Sequence, residues 1–131
     1  MLNMLMLYLY ILFLSFYLVN IMSINEECIY NVWTHSSEED DENKKVYRPK
    51  SYELPPSRGR DGLEIKQNGE IIFYTIAPTD GHERIFGHFK IIEPNKLHIE
   101  LSNSNMTYDM TILSCKKDLL EIQKGNLKGS M

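Results

Sequence analysis

The chain has 131 residues, of which 43% are hydrophobic, and its formal net charge is −4 at pH 7. This length is enough for one domain with a single core, and the mild negative balance without a basic face argues against nucleic acid as a partner. The sequence has no nucleophile-elbow motif, no paired-cysteine motif and no glycine-rich phosphate loop, so it predicts neither catalytic residues nor a cofactor.

An apolar run occupies residues 4–19, and the first charged residue is Glu26. Residues 1–23 are interpreted as a secretory signal peptide with cleavage near Ser23, or residues 1–22 as an uncleaved membrane anchor. No Lys or Arg precedes the run, and a wrongly chosen start codon is a third interpretation. The sequence therefore predicts a secreted or exported protein, with membrane anchoring as the alternative.

The domain predicted at residues 24–124 begins with a strand over 29–36 and a second, short strand around 46–47. The acidic run that separates them, 38–42, is too polar to bury and predicts a solvated loop. Residues 49–61 contain a Pro-Pro pair, which excludes a central strand because proline cannot donate to a strand ladder.

After this irregular stretch the chain alternates apolar and polar residues between turn signals, of which Asn68-Gly69 is the strongest hairpin signal. The pattern predicts further strands over 62–66, 70–76, 84–92, 97–101, 106–112 and 120–122.

These segments predict an all-β fold, a small eight-stranded antiparallel up-and-down barrel, followed by a flexible tail over 125–131. An open sandwich is the alternative. The apolar face of the strands is predicted to form a packed core with at most a shallow apolar pocket at one mouth. The predicted inward residues are Leu63, Ile65, Phe89, Ile91, Leu97, Ile99, Tyr108, Met110, Ile112, Leu120 and Ile122.

Cys28 and Cys115 are the two cysteines of the chain and are candidates for a disulfide in an exported protein. The topology argues against the bond. In an up-and-down barrel the first and seventh strands run the same way, so the barrel height would separate the cysteines, whereas a disulfide needs Cα atoms within about 7 Å. The alternative is two small apolar side chains.

One short modification motif is present. Asn105-Met106-Thr107 matches the N-glycosylation acceptor pattern, so Asn105 is a candidate glycosylation site if the chain is exported.

The irregular stretch also carries a family resemblance. It begins at an arginine-proline step, Arg48-Pro49, and contains the run Pro55-Pro56-Ser57-Arg58-Gly59-Arg60. Later come Ala77-Pro78-Thr79-Asp80-Gly81 and Gly87-His88-Phe89-Lys90. Over residues 33–122 the sequence thereby resembles a group of small, poorly characterised lipocalin-like proteins. The resemblance implies a calycin-type barrel on an exported protein and implies no established activity.

Charged residues of the proline-rich stretch form a candidate site. If this stretch crosses one end of the barrel, an arginine can stack on Trp33 and pair with Asp80. Such a contact is either a structural clamp or a bidentate anion site. The histidines lack a metal-binding spacing, so no metal site is predicted. The candidate ligand-binding residues are Trp33, Arg48, Arg58, Arg60, Asp80 and Tyr108.

The sequence thus predicts a non-catalytic, exported, lipocalin-like binding module for a small apolar ligand. The alternative is a structural or inhibitory barrel with a filled interior that acts through a protein partner. A third hypothesis is an enzyme that uses the region of Arg58 and Asp80. Membrane contact is expected only if the N-terminal segment stays uncleaved, and the sequence does not predict an oligomeric state.

Overall fold

The computed structural model describes residues 2–21, 25–77 and 81–125. The predicted cleavage point near Ser23 and residues 126–131 of the predicted tail lie outside the described residues. The chain begins with the helix α1 (Leu2–Ile21), and a one-turn helix α2 (Glu26–Ile29) follows. The described side chains of α1, at 3–16, are exposed. Among the described residues, no helix has both the length and the apolar character needed to cross a membrane.

Eight strands of the described chain form a closed barrel in which every neighbouring pair is antiparallel, which confirms the predicted fold class. The strands are β1 (Val32–His35), β2 (Lys44–Pro49), β3 (Gly62–Ile65), β4 (Glu70–Ala77), β5 (Gly81–Glu93), β6 (Lys96–Leu101), β7 (Thr107–Lys116) and β8 (Leu119–Gln123).

The strand order around the barrel departs from a simple meander at one place, because β1 lies between β2 and β3. Thr34 of β1 is opposite Arg48 of β2 and also opposite Gly62 of β3. Since β1 is antiparallel to both neighbours, β2 and β3 run in the same direction. Each strand from β3 onwards therefore runs in the direction opposite to the one it would have in a barrel whose neighbouring strands follow chain order.

The barrel has two ends, which we name after residues near them. At the His35 end β1 finishes and β2, β3, β5 and β7 begin, whereas at the disulfide end β1 begins and β7 finishes. Residues 50–61 connect the end of β2 to the start of β3 and so run from one end of the barrel to the other. Residues 50–58 are exposed except for Leu54, so this stretch lies on the outside and does not close an end as predicted.

The inner faces of the strands form one apolar core. All the residues that the alternation predicted to point inward belong to it or pack directly against it. Trp33 of β1 and Ile29 of α2 join them, and the Trp33 indole N–H donates to the Ile29 carbonyl at 2.9 Å. The predicted strand over 29–36 therefore starts too early, since Ile29 is helical and reaches the core from α2.

A disulfide joins Cys28 to Cys115, with the two Cα atoms 6.0 Å apart. The topological argument against this bond was wrong because it assumed strands in sequential order. With β1 between β2 and β3, β7 runs opposite to β1, so the end of β7 and the residues before β1 meet at the same end of the barrel. The bond ties α2 to β7 there.

Two glycines are required by the backbone. Gly69 has a φ of 92° in the β3–β4 hairpin, in the left-handed region where glycine carries no steric penalty. Gly62 lies so close to β1 that an added Cβ would clash with the Trp33 carbonyl oxygen. Only a residue without a side chain lets β3 approach β1 closely enough to close the barrel.

Candidate ligand-binding end of the barrel

Two tyrosines point into the apolar core towards the His35 end of the barrel. Tyr47 of β2 is 7% exposed, and Tyr108 near the start of β7 is half-buried. Burial raises the pKa of Tyr47, and the Asp61 and Asp40 carboxylates raise it further. Burial also raises the pKa of Tyr108, and Tyr47 adds to this shift. Both phenols therefore stay neutral and keep a proton to donate.

Neither phenol hydroxyl forms a hydrogen bond with any other residue that the structure describes. Every fully buried side-chain nitrogen or oxygen of the described residues does have a hydrogen-bond partner. The two hydroxyls are thus not fully buried, and each must face a solvent-accessible space. The two tyrosines of this core accordingly carry hydroxyl donors that have some accessible surface and no partner among the described residues.

Apolar side chains flank these hydroxyls. The ring of Phe73 on β4 lies 5.7 Å from that of Tyr108, centroid to centroid, in a tilted arrangement. Ile85 of β5 is opposite Phe73 in the register and is 39% exposed although it lies on the inward face. The mouth at the His35 end therefore combines an exposed apolar lining with a few polar groups, as binding pockets for small molecules do.

A histidine held between two carboxylates forms the polar rim of this mouth. His35 Nδ1 lies 2.7 Å from an Asp61 carboxylate oxygen and Nε2 lies 2.8 Å from one of Asp40, and the ring stacks on Tyr47 with the centroids 5.0 Å apart. Ionised carboxylates only accept, so both contacts are hydrogen bonds when both ring nitrogens carry a proton. The cluster fixes the Tyr47 ring and links β1 to the start of β3.

Backbone hydrogen bonds hold the acidic run, residues 38–42, which the sequence predicted as a solvated loop. Residues 37–39 form a single 3₁₀ turn, and Asp40 accepts a hydrogen bond from the Val46 backbone N–H at 2.8 Å. Asp41 accepts from two backbone N–H groups, of Asn43 at 2.7 Å and Lys44 at 2.9 Å. These bonds to the Asn43 and Lys44 N–H groups lower the pKa of the Asp41 carboxyl.

Two of the predicted site arginines form bidentate ion pairs with the acidic run. Arg48 binds both Glu39 carboxylate oxygens, at 2.8 and 2.6 Å, and its guanidinium lies over the Tyr52 ring. Arg60 binds both Glu38 oxygens, at 2.8 and 2.6 Å, and hydrogen bonds from Arg60 lower the pKa of Glu38 to about 2. Both guanidinium groups are therefore paired with glutamates of the same chain.

The structure does not gather the remaining predicted site residues around these arginines. Trp33 is buried in the core, and the cation–π contacts found among the described residues do not involve it. Arg58 is exposed. Asp80 lies outside the described residues. Of the six candidate ligand-binding residues, Tyr108 is the one that the structure places with a free polar group in the barrel mouth.

Tyr47, His35 and Asp40 were not predicted from the sequence as site residues. The sequence did contain a signal for His35 and for Tyr47. His35 lies two residues after Trp33 and so shares its face of β1. Tyr47 lies in a short strand directly before the Arg-Pro step. No sequence signal indicated that Asp40 and Asp61 meet at one imidazole.

The chain matches no known protein family, no curated protein and no solved structure. Among the described residues, no group of three or more His, Cys, Asp or Glu side chains is placed to hold a metal ion. The comparisons therefore assign no family to the chain, and what the structure shows is the closed eight-stranded barrel.

Proposed function

We propose that this protein is an exported, non-catalytic binding module whose ligand is a small, mostly apolar molecule with one hydrogen-bonding oxygen. The ligand enters at the His35 end of the barrel. The observation that carries the proposal is the pair of accessible, unpartnered hydroxyls of Tyr47 and Tyr108 within an otherwise apolar core.

The energetics favour a ligand oxygen at this place. A ligand oxygen that replaces water at one of these hydroxyls makes a hydrogen bond whose net contribution is about 1 kcal/mol. In this proposal a carbonyl or ether oxygen accepts a hydrogen bond from one of the two phenols, while the rest of the ligand contacts Phe73 and Ile85. The interior of an eight-stranded barrel is either just filled by side chains or holds one small ligand, and the proposal takes the second case.

Three observations support export and the lipocalin-like assignment. The disulfide between Cys28 and Cys115 is typical of an oxidising compartment. The apolar helix α1 precedes the barrel, as a leader segment does. The closed antiparallel barrel is also what the sequence resemblance to small lipocalin-like proteins implies.

The test uses two matched probes, acetylnaphthalene and its carbonyl-free analogue ethylnaphthalene, in isothermal titration calorimetry. The wild-type protein should bind acetylnaphthalene about fivefold more tightly, since one hydrogen bond contributes about 1 kcal/mol. The Tyr47→Phe/Tyr108→Phe variant should lose this preference. Tyr74→Phe is the control, because the Tyr74 hydroxyl donates to Glu64 instead of facing the core. A preference that survives in the double variant would refute the proposal.

A second candidate function is a structural or inhibitory barrel that contacts a protein partner. Ile92 of β5 and Leu113 of β7 favour it, because both are about half exposed, at 50% and 48%. The buried core of a protein interface is richer in apolar surface than the rest of the protein exterior. If neither naphthalene probe binds saturably to the wild-type protein, this second function is the better account.

A further inference from the structure

The candidate glycosylation motif lies in the loop over residues 102–106, which joins β6 to β7 at the His35 end. Asn105 is exposed there, and its side chain hydrogen-bonds to no other described residue. Thr107, the third residue of the motif, is the first residue of β7. The acceptor amide is therefore accessible on a surface loop, as modification requires.

Two exposed apolar side chains lie in and beside this loop, and together they are called the patch. Met106 is 54% exposed and Phe86 is 48% exposed. Phe86 lies next to the loop, because its carbonyl accepts a hydrogen bond from the Ser102 N–H at 2.9 Å. Ile85, the residue before Phe86, points to the inner face of the barrel. Exposed apolar side chains therefore lie on both the outer and the inner face of β5 at the end where Asn105 lies. Exposed apolar side chains promote self-association when they adjoin one another and nothing covers them.

We propose that Asn105 carries an N-linked glycan that covers the patch of Phe86 and Met106 beside the mouth of the barrel. The proposal rests on the export proposed above, since the modification is made on secreted chains. The glycan is bulky, polar and solvating, so it shields apolar surface that the strands themselves leave open. Being on the outer loop, it leaves the interior phenols free.

The modification is tested by expressing the full chain in secreting eukaryotic cells and measuring the intact mass of the secreted protein before and after peptide N-glycosidase treatment. Wild type and the control Asn103→Gln, two residues away in the same loop, should lose the mass of one glycan. Asn105→Gln and Thr107→Ala should show no change. Secreted wild-type protein with a closed disulfide but without a glycan would overturn this inference and leave export intact. Protein retained in the cells with free thiols would overturn both.

The shielding is tested by sedimentation velocity. Enzymatic removal of the glycan should strengthen self-association by at least about tenfold, and Phe86→Ser in the deglycosylated protein should reverse that gain. Phe86 lies on the outer face of β5, so the substitution leaves the core unchanged. Deglycosylated wild-type protein that remains as monomeric as the glycosylated form would overturn the shielding role.

Discussion

The disulfide between Cys28 and Cys115 should supply a large share of the stability of the barrel. It closes a loop with a sequence separation of 87 residues, for which the chain-entropy relation gives about 4.6 kcal/mol at 25 °C. A domain of roughly 100 residues has a total stability of only about 5–15 kcal/mol. The Cys28→Ala/Cys115→Ala variant is therefore expected to be marginally folded.

The structure also indicates where the loss should appear first. The bond holds α2 against β7, and α2 supplies both the buried Ile29 side chain and the carbonyl that accepts from Trp33. Without the bond, α2 can detach and expose the indole. Because Trp33 is the single tryptophan of the chain, its fluorescence reports this event directly.

The assay is urea denaturation followed by Trp33 emission and by far-ultraviolet circular dichroism. With a denaturant slope of about 1–3 kcal/mol per molar urea, the midpoint should fall by at least roughly 1.5 M in the double variant. Wild-type protein with its disulfide reduced is the control and should match the variant. A loss of stability below about 1 kcal/mol would refute the argument that this crosslink constrains the unfolded chain.

Two further predictions concern the charged groups. His35→Ala leaves two partly buried carboxylates without their partner and should cost about 1–3 kcal/mol in urea denaturation. The control His98→Ala breaks a more exposed pair and should cost less than about 1 kcal/mol, so equal losses would contradict the prediction. Hydrogen bonds from Arg60 lower the pKa of Glu38 from 4.5 to about 2, so this pair stabilises the fold above pH 4.5 and is lost as the pH falls towards 2. Carboxyl NMR titration should show the Glu38 pKa rising towards 4.5 in Arg60→Gln, and an unchanged pKa would refute the pairing.

The strands and the core were predictable because alternation with a period of two directly reports which residues share a face. Leu97 and Ile99, for example, alternate with His98 and Glu100, and the structure buries the first two and not the others. Turn chemistry located the hairpins equally well, since Asn68-Gly69 needs the positive φ that the structure shows at Gly69.

The strand order was not predictable from alternation, because a side-chain pattern carries no information about which strand is the neighbour. The placement of β1 between β2 and β3 depends on residues 50–61, which at about 3.3 Å per residue can reach along the full height of the barrel. The length and proline content of this stretch were visible, and its path was not. The disulfide prediction depended on this path.

The polar site was predicted only in part for a related reason. Tyr108 lies on a clear alternating strand and was assigned correctly to the inside. The cluster of His35, Asp40 and Asp61 joins three segments through side-chain hydrogen bonds, and such contacts follow from tertiary structure alone. Arg48 and Arg60 were recognised as notable, but their glutamate partners were assigned to a solvated loop.

Native mass spectrometry of protein recovered from a secreting host tests the role of the interior phenols most directly. We predict that the wild-type protein and Tyr74→Phe carry the same non-covalently bound small molecule, and that its occupancy falls at least fivefold in Tyr47→Phe/Tyr108→Phe. Equal occupancy in all three proteins, or no bound molecule in any of them, would contradict a ligand held by Tyr47 and Tyr108.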